Sequence, residues 1–572
     1  MALKNLTLPS SGLWHVCVTD EIISRLSSIA GVKQVEINKG EIELSVDVLK
    51  ETFTLTFSVN KPFPQKLPKI YIKDAGKHGL IPHVCWEGEI CYNDGIGITI
   101  DVSDPCSVAV YSVEKAIEVL EKKDTDDFYD EFEGYWNKQD SCKVAVSLIG
   151  DSEVFEHIKV NSKKDDLPIA YLPVGGENIP NSHYSHYKYL SNNGTQNYGY
   201  HLPLDRTISP PLAGESIHIS VLEDISAAMS DNNRDAWRQC IDAGCIPQRR
   251  LHLLISQPRP SGGRSFFGLT VPFARKALED NDLSSYKHQI IPITILHHTR
   301  DYLLRRSGAS LSLANYKFAV VGCGSVGSRI AEYLALSGAE DISLFDGDKY
   351  STDNIYRHIL DSKYVGHDKS KSLALQLEER IPYLQVSPFV QYIDVSFDMT
   401  GYDVVIDAAG DPTLSRKLNQ AHRLLHGDKP MLLSVWLEAM GLGGHSILSD
   451  GSSVGCLHCL YDNDGSDTLI NKFSFIESGQ RITKNLTGCG GAFIQFGAID
   501  ASRTAEMAVR QLLQAIESNQ EAQNGGYVCW CGDDQLARNE RVSTTSWYNK
   551  IAKKGADKIP LTIGCSICTV RT

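Results

Sequence analysis

Val321-Gly322-Cys323-Gly324-Ser325-Val326-Gly327 is a G-x-G-x-x-G turn between an apolar run, Phe318–Val321, and a helical pattern over Val326–Ser337. Glycines at this spacing let backbone approach a phosphate at a helix N-terminus, where unpaired N–H groups and the helix dipole favour negative charge. The next apolar run, Ile342–Phe345, ends in Asp346, 22 residues after Gly324, where a carboxylate accepts ribose hydroxyls. At this point NAD and ATP are equally served. Asp348, Asn354, Arg357 and Lys369 follow within two dozen positions, and Asp411 follows the strand Val404–Asp407. Such a set suits a triphosphate: Arg and Lys neutralise oxygens as charge moves onto pyrophosphate, and Asp holds magnesium. Taken singly each is an ordinary surface charge. Their shared place on the carboxyl side of successive strands is where ligands bind in open sheets.

Outward from this turn the carboxyl-terminal part alternates strand and helix signals. Helices fit Ser370–Arg380, Pro412–Leu425 and Ala498–Ala515, and a further strand fits Met431–Val435, which predicts βαβ units and a mainly parallel sheet. Upstream, the spacing predicts a helix over Glu21–Ile29, strands over Val35–Leu49 and Phe53–Val59, and a helix over Ser107–Lys122. Asp124–Glu133 is read as a solvated helix end. Between these parts lie candidate strands Lys143–Leu148, Ile169–Pro173, Ile217–Leu222, Leu251–Ile255 and Gly268–Val271, with His183–Pro203 read as a polar surface excursion. No catalytic motif stands out there, so a packing or linker domain is expected. The division is 1–140, 141–300 and 301–572, within the three to five domains that 572 residues allow.

Fifty-six Lys+Arg against 70 Asp+Glu leave a net charge of −14, which argues against a protein that coats nucleic acid or an anionic membrane. No apolar run approaches the roughly 20 residues of a membrane span. The start, MALKNLTLPSSGLWHVC, lacks the basic and apolar regions of a signal peptide. A cytoplasmic chain is expected. Fifteen cysteines, an odd number, then read as packed thiols, metal ligands or nucleophiles rather than a disulfide framework. Cys456-Leu-His-Cys459 and Cys565-Ser-Ile-Cys568 form two C-x-x-C pairs suited to tetrahedral zinc. Cys529-Trp-Cys531 is a competing pair. Cys489, in Thr487-Gly-Cys489-Gly-Gly, precedes a long helix whose dipole favours thiolate, and Cys531 is its rival as nucleophile.

Gly322–Gly327, with Asp346-Gly-Asp348, Asn354-Ile-Tyr-Arg357, Gly366-His-Asp-Lys369 and Asp407-Ala-Ala-Gly-Asp411, resembles the ThiF/MoeB and ubiquitin-activating adenylation domain. The resemblance implies that Asp346 holds the ribose, that Asn354, Arg357 and Lys369 contact phosphates, and that Asp411 is the magnesium-side carboxylate. Gly410-Asp411-Pro412 stands where the family has T-D-N. The family's arginine ahead of the first strand falls on Arg300, Arg305 or Arg306, and spacing does not choose among them. The resemblance also implies paired zinc knuckles, and at the place of Cys489 a thioester-forming cysteine.

Lys61-Pro-Phe-Pro-Gln-Lys-Leu-Pro, then Ile81-Pro82-His83-Val84-Cys85 and Gly88-Glu89-Ile90-Cys91, resembles a ubiquitin-conjugating fold. Pro82 to Cys91 keeps that family's nine-residue spacing from proline to catalytic cysteine, and Cys85 is a packed neighbour beside Trp86. His83 replaces the family's asparagine. The expected fold is therefore α/β and multidomain: an α+β conjugating-like domain, an α/β linker domain and a Rossmann-like adenylation domain. A conjugating-type domain followed by an activating-type domain resembles the ubiquitin-transferase-like proteins of CBASS antiphage operons. That resemblance implies ATP, Mg²⁺ and Zn²⁺ as cofactors. It implies as substrate the C-terminal carboxylate of a cGAS/DncV-like nucleotidyltransferase (CD-NTase), joined to an amine on a target protein or small molecule. It implies a homodimer as well. Activation of a sulfur carrier would use the same adenylation site but give Cys91 no role, and a nucleotide-sensing scaffold would need neither nucleophile.

Overall fold

The computed structural model describes residues 20–560 except 39, 61, 80, 86, 123–126, 140, 164–166, 176–178, 193–194, 211–216, 426–429, 451–454, 464–467, 487–491, 518–525 and 555–557, together with 565 and 567. The chain divides into two compact units.

In the first unit, helix α1 (20–27) precedes a four-stranded antiparallel sheet of β1 (Val32–Asn38), β2 (Glu41–Val48), β3 (Glu51–Ser58) and β4 (Tyr71–Ile72). Period-two burial fixes the register: Ile42, Leu44, Val46 and Val48 face the core while their neighbours do not. The single strand expected over Val35–Leu49 is thus a hairpin that turns before Glu41. Helix α2 (Pro105–Glu121) covers the buried face; Pro105 opens it and the Asp104 carboxylate accepts the Ser107 N–H.

The short helices α3 (Asp127–Asp130) and α4 (Phe132–Trp136) lead to a closed barrel. Its strands are β5 (Lys143–Ser147), β6 (Glu156–Ser162), β7 (Pro168–Pro173), β8 (Thr195–Pro203), β9 (Arg250–Pro258), β10 (Arg264–Pro272) and β11 (Ile291–His297), in spatial order 10-11-5-7-6-8-9. Trp136 is fully buried against Phe132 and Phe267, and its indole N–H donates to the Ile293 carbonyl (3.0 Å). Three sequence expectations fail in this unit. His183–Pro203 is not a surface excursion throughout: its second half is β8, buried from Gly199 to Pro203, while its largely exposed first half is helix α5 (Ser185–Asn192), which belongs to the second unit. The strand expected over Ile217–Leu222 is instead the approach to helix α6 (Val221–Ala228), with α7 (Asp231–Asp242) and α8 (Arg275–Glu279) following. Asp124–Glu133 is not a purely solvated end, since Glu133 accepts the Phe266 N–H and pairs with His297 (3.0 Å).

The second unit holds helix α9 (Arg300–Ser307) and an eight-stranded sheet. Strands β12 (Lys317–Val321), β13 (Asp341–Phe345), β14 (Gln385–Phe389), β15 (Val404–Asp407) and β16 (Met431–Leu437) are parallel in the order 14-13-12-15-16. Strand β17 (Gly443–Ser449) then reverses the direction. Two small hairpins follow, β18 (Tyr461–Asp462) with β19 (Ile470–Asn471) and β20 (Thr483–Asn485) with β21 (Ala492–Ile494). Antiparallel β22 (Gly526–Cys531) and β23 (Lys558–Pro560) complete the large sheet. Helices α10 (Gly327–Leu336), α11 (Lys369–Arg380), α12 (Pro412–Leu424) and α13 (Ala498–Glu517) flank it. Phe318–Val321 is buried without alternation, as a central parallel strand covered on both faces requires.

Candidate functional site

The order of the parallel strands reverses at β12, beside β13 and β15, so the turns after these three strands open into one crevice. Gly322 adopts φ +87°, and a Cβ there would stand 2.7 Å from the Ala409 Cα. That glycine is demanded by chain packing. Gly324 is different: a Cβ there would meet no protein atom within 4 Å, so its lack of a side chain leaves room beside the backbone. Asp346 fixes the turn by accepting the Cys323 N–H on Oδ2 and the Asp348 N–H on Oδ1, both at 2.7 Å. Asp348 in turn receives Lys369 Nζ at 2.9 Å and the Tyr392 hydroxyl at 2.8 Å. The lysine first, then the tyrosine, holds its carboxyl below the usual range against the opposing effect of burial. A cavity of about 420 Å³ is lined by Gly322, Asp346, Asp348, Tyr392, Asp411 and Lys417, among others.

Three of the five carboxylate and cation candidates nearest the turn therefore converge on this crevice, with Lys369 joined through Asp348. Asp411 caps α12, its Oδ1 accepting the Thr413 N–H (2.8 Å) and the Leu414 N–H (3.2 Å). Asn354 sits in a capping box, its Oδ1 accepting from the Ser351 backbone and hydroxyl. Arg357 lies with its guanidinium over the Phe496 ring (5.1 Å), and its buried Nε has no partner among the described residues. Of the three upstream arginines, Arg300 is engaged by Glu340, whereas Arg305 and Arg306 are exposed on the last turn of α9. Beneath the crevice Asp407 is buried, with Oδ2 unpartnered, and burial pushes its carboxyl up to about 6 against the Ser415 hydrogen bond. Two residues beside the turn escaped sequence reasoning. Arg329 on α10 bonds the carbonyls of Ser325 and Arg357, and His358 Nε2 lies 2.7 Å from the Cys323 carbonyl oxygen. Neither belongs to a pattern that marks a buried polar side chain.

Cys456, Cys459 and Cys565 bring their Sγ atoms within 4.8 Å of one another, with Cys456 and Cys565 at 3.7 Å. Hydrogen bonds, that of Cys459 foremost, hold the Cys456 thiol well below its ordinary range. Cys568 and Cys489 lie outside the described residues. Cys531, the rival nucleophile, ends β22 half-buried, and burial pushes its thiol up to about 12.

In the first unit Cys91 is exposed and Cys85 buried. The Cys91 N–H donates to the His83 carbonyl (2.7 Å), and His83 has φ +59°, a conformation asparagine and histidine tolerate better than most residues. The His83 N–H donates to the Tyr135 hydroxyl (2.8 Å), while its ring nitrogens face Glu131 (2.9 Å) and Asp127 (3.2 Å). Thus residues read as a solvated stretch instead flank the cysteine turn. Partial desolvation raises the Cys91 thiol above its ordinary value; Lys138 opposes this and Glu131 adds to it.

The model of the ThiF family matches residues 298–530, and that of prokaryotic E2 family B matches residues 23–145. The "ATP-dependent ubiquitin transferase-like protein Cap2" of Escherichia coli (strain TW11681) is 23% identical over 505 residues, covering 79% of this chain and 83% of that protein. Its namesake from Pseudomonas aeruginosa (strain BWHPSA011 / Pa011) is 22% identical over 482 residues, with the same coverage. A crystal structure of E. coli MccB with ATP is 18% identical, covers 47% of this chain and 69% of its own, and has a TM-score of 0.32. An adenylation fold joined in one chain to a cysteine-bearing conjugating fold defines an ATP-dependent ligase or transferase of the ubiquitin-like conjugation class. The chain resembles the Cap2 proteins in joining an E2-like region and a ThiF-like region in one polypeptide.

Proposed function

We propose that the chain activates the C-terminal carboxylate of a protein with ATP and transfers it through cysteine thioesters to an amine. The observation that carries this reading is the hydrogen-bonded series from the Cys323 N–H through Asp346 to Asp348 and Lys369, beside the cavity that Gly322, Asp346, Asp348 and Asp411 line. A nucleotide fits there with its ribose on Asp346 and its phosphates along the turn, Lys369 and Arg357 neutralising oxygens. The substrate carboxylate attacks the α-phosphorus, the bond to the β-phosphate oxygen breaks, and pyrophosphate leaves as an acyl-adenylate forms. Cys489 attacks the acyl carbon and AMP departs. The Cys91 thiolate then takes the acyl group by thioester exchange, and an amine attacks that thioester, releasing the thiol. Adenylation replaces a poor leaving group with a good one, and each later exchange passes the acyl group to an equally or less activated position.

Asp411 lines the cleft and is the carboxylate that would hold Mg²⁺, which supplies charge neutralisation at the phosphates. Zinc suits the thiol cluster: Zn–S bonds of about 2.3 Å place tetrahedral sulfurs ~3.8 Å apart, close to the 3.7 Å between Cys456 and Cys565. Cys568 supplies the fourth ligand in this reading. The substrate of choice is a CD-NTase in CBASS defence, handled by a cytoplasmic homodimer. No described helix is long and apolar enough to cross a membrane. Incubation with Mg·ATP and a CD-NTase bearing a free C-terminus, resolved on non-reducing gels, tests the relay. Reducible adducts are expected from the wild type; Cys91→Ala removes the downstream adduct alone, and Cys489→Ala, upstream in the relay, removes both. Adducts and product unchanged in both variants would overturn it.

A further inference from the structure

Arg329 carries a charge into the interior of α10, where Glu332 acts on it through space but does not pair with it. It is 8% exposed and among the described residues forms no ion pair. Its Nε donates to Ser502 Oγ on α13 (2.6 Å), and its Nη1 donates to the carbonyls of Ser325 (2.9 Å) and Arg357 (2.7 Å). Ser502 Oγ itself donates to the Ala498 carbonyl in the first turn of α13 (2.9 Å). One side chain therefore joins the glycine turn, the Arg357 main chain and α13.

The far end of Arg357 closes this ring. Its guanidinium rests over Phe496, two residues before α13 begins. Arg329 thus sets the separation between the Arg357 backbone and the helix beside its stacking partner. His358 adds a second tether to the same segment: Nε2 donates to the Cys323 carbonyl (2.7 Å) while Nδ1 accepts the Leu360 N–H (3.1 Å). Packing alone does not call for a charge here, since neutral donors also satisfy carbonyls and a hydroxyl. A buried cation facing neutral acceptors one turn behind a phosphate-type glycine turn is best compensated by an anion at that turn.

We propose that Arg329 is a positioning residue for polyphosphate recognition, holding Arg357 so that its guanidinium meets the β- and γ-phosphates of ATP. This rests on the nucleotide reading above. The consequence is selectivity: the tether acts on the triphosphate and leaves the nucleoside and its first phosphate largely untouched. Mg·ATP and AMP are titrated calorimetrically into the full chain. Arg329→Gln is expected to bind ATP about tenfold more weakly while AMP binding stays within about twofold. Ser502→Ala, which frees one of the three contacts, is expected to lose about threefold for ATP alone. Adding Arg329→Gln to Arg357→Ala should cost nothing further, because both act through one guanidinium. If Arg329→Gln does not fold, as judged by circular dichroism, Ser502→Ala decides. An ATP-to-AMP preference equal to wild type in the folded variants overturns this inference while leaving the nucleotide site standing. A wild-type chain that binds no ATP overturns both.

Discussion

The side-chain amide of Asn419 lies 2.8 Å from Nδ1 of His458, and its oxygen accepts the Leu457 N–H at 3.3 Å. Asn419 is buried on α12, the helix capped by Asp411, and His458 sits between Cys456 and Cys459. One helix therefore runs from the crevice that Asp411 lines to the thiol cluster.

Asp411 has a structural duty and a proposed chemical one, and two substitutions separate them. Asn is as good an N-cap as Asp, whereas Ala costs roughly 1 kcal/mol. Asp411→Asn should unfold in urea like the wild type and Asp411→Ala earlier. Both should lose at least about a hundredfold in ATP–pyrophosphate exchange with a protein substrate present. Wild-type exchange by Asp411→Asn would remove this residue from the site.

The thiol cluster should hold one zinc per chain by plasma emission analysis. Cys459→Ser should abolish it and lower stability by several kcal/mol, as loss of structural zinc does. Asn419→Ala keeps all the thiols but strips the turn of two hydrogen bonds. It should retain zinc yet release it faster to a chelator. A metal-free wild type, purified without chelators, would refute the site.

Cys91 should react with iodoacetamide at a rate still climbing near pH 9, because desolvation places its thiol above the ordinary value. Glu131→Gln removes a nearby negative charge that disfavours thiolate, so alkylation at pH 8 should quicken; Lys138→Gln should slow it. Cys85→Ala should leave adduct formation intact, since that thiol is buried. A rate plateau below pH 8 contradicts the assignment.

Asp407 makes an opposite demand on stability. Its folded carboxyl titrates near 6 against an ordinary 3.8, with burial the first cause. The folded chain therefore binds more protons than the unfolded chain across that window, and this group's contribution falls as pH rises from about 4 to about 6, then stays flat. The loss is on the order of 2–3 kcal/mol. Asp407→Asn should gain relative to wild type in urea melts at pH 7 but much less at pH 4.5. Equal differences at the two pH values would falsify the shift.

The parallel core was legible because its strands are apolar throughout and punctuated by glycine turns: Phe318–Val321 and Val404–Asp407 lie where the pattern put them. The stretch marked by its offset from the turn holds the Asp346 bond to the Cys323 N–H and the Lys369 bond to Asp348. Strand β8 was not. Its apolar residues, Tyr200 and Leu202, follow a Ser- and Asn-rich run, and the burial of His201 between them comes from Glu156 and Ser256 on neighbouring strands. The approach to helix α6 was mistaken for strand because Ile217, Ile219 and Val221 alternate up to its first residue, where apolar spacing of two is local and misleading. Arg329 and His358 are invisible for another reason: their partners are mostly backbone carbonyls, which leave no trace in side-chain identity.

The closed barrel of β5–β11 carries one more consequence. Among the described residues each of its strands has neighbours on both sides, so none offers a wholly open edge to an incoming chain. The conjugating-like sheet ends at β1 and β4, and the adenylation sheet at β14 and β23. Among the described residues, an extended tail that docks by adding itself as a strand finds open margins on these two sheets and on the two small hairpins, and none on the barrel.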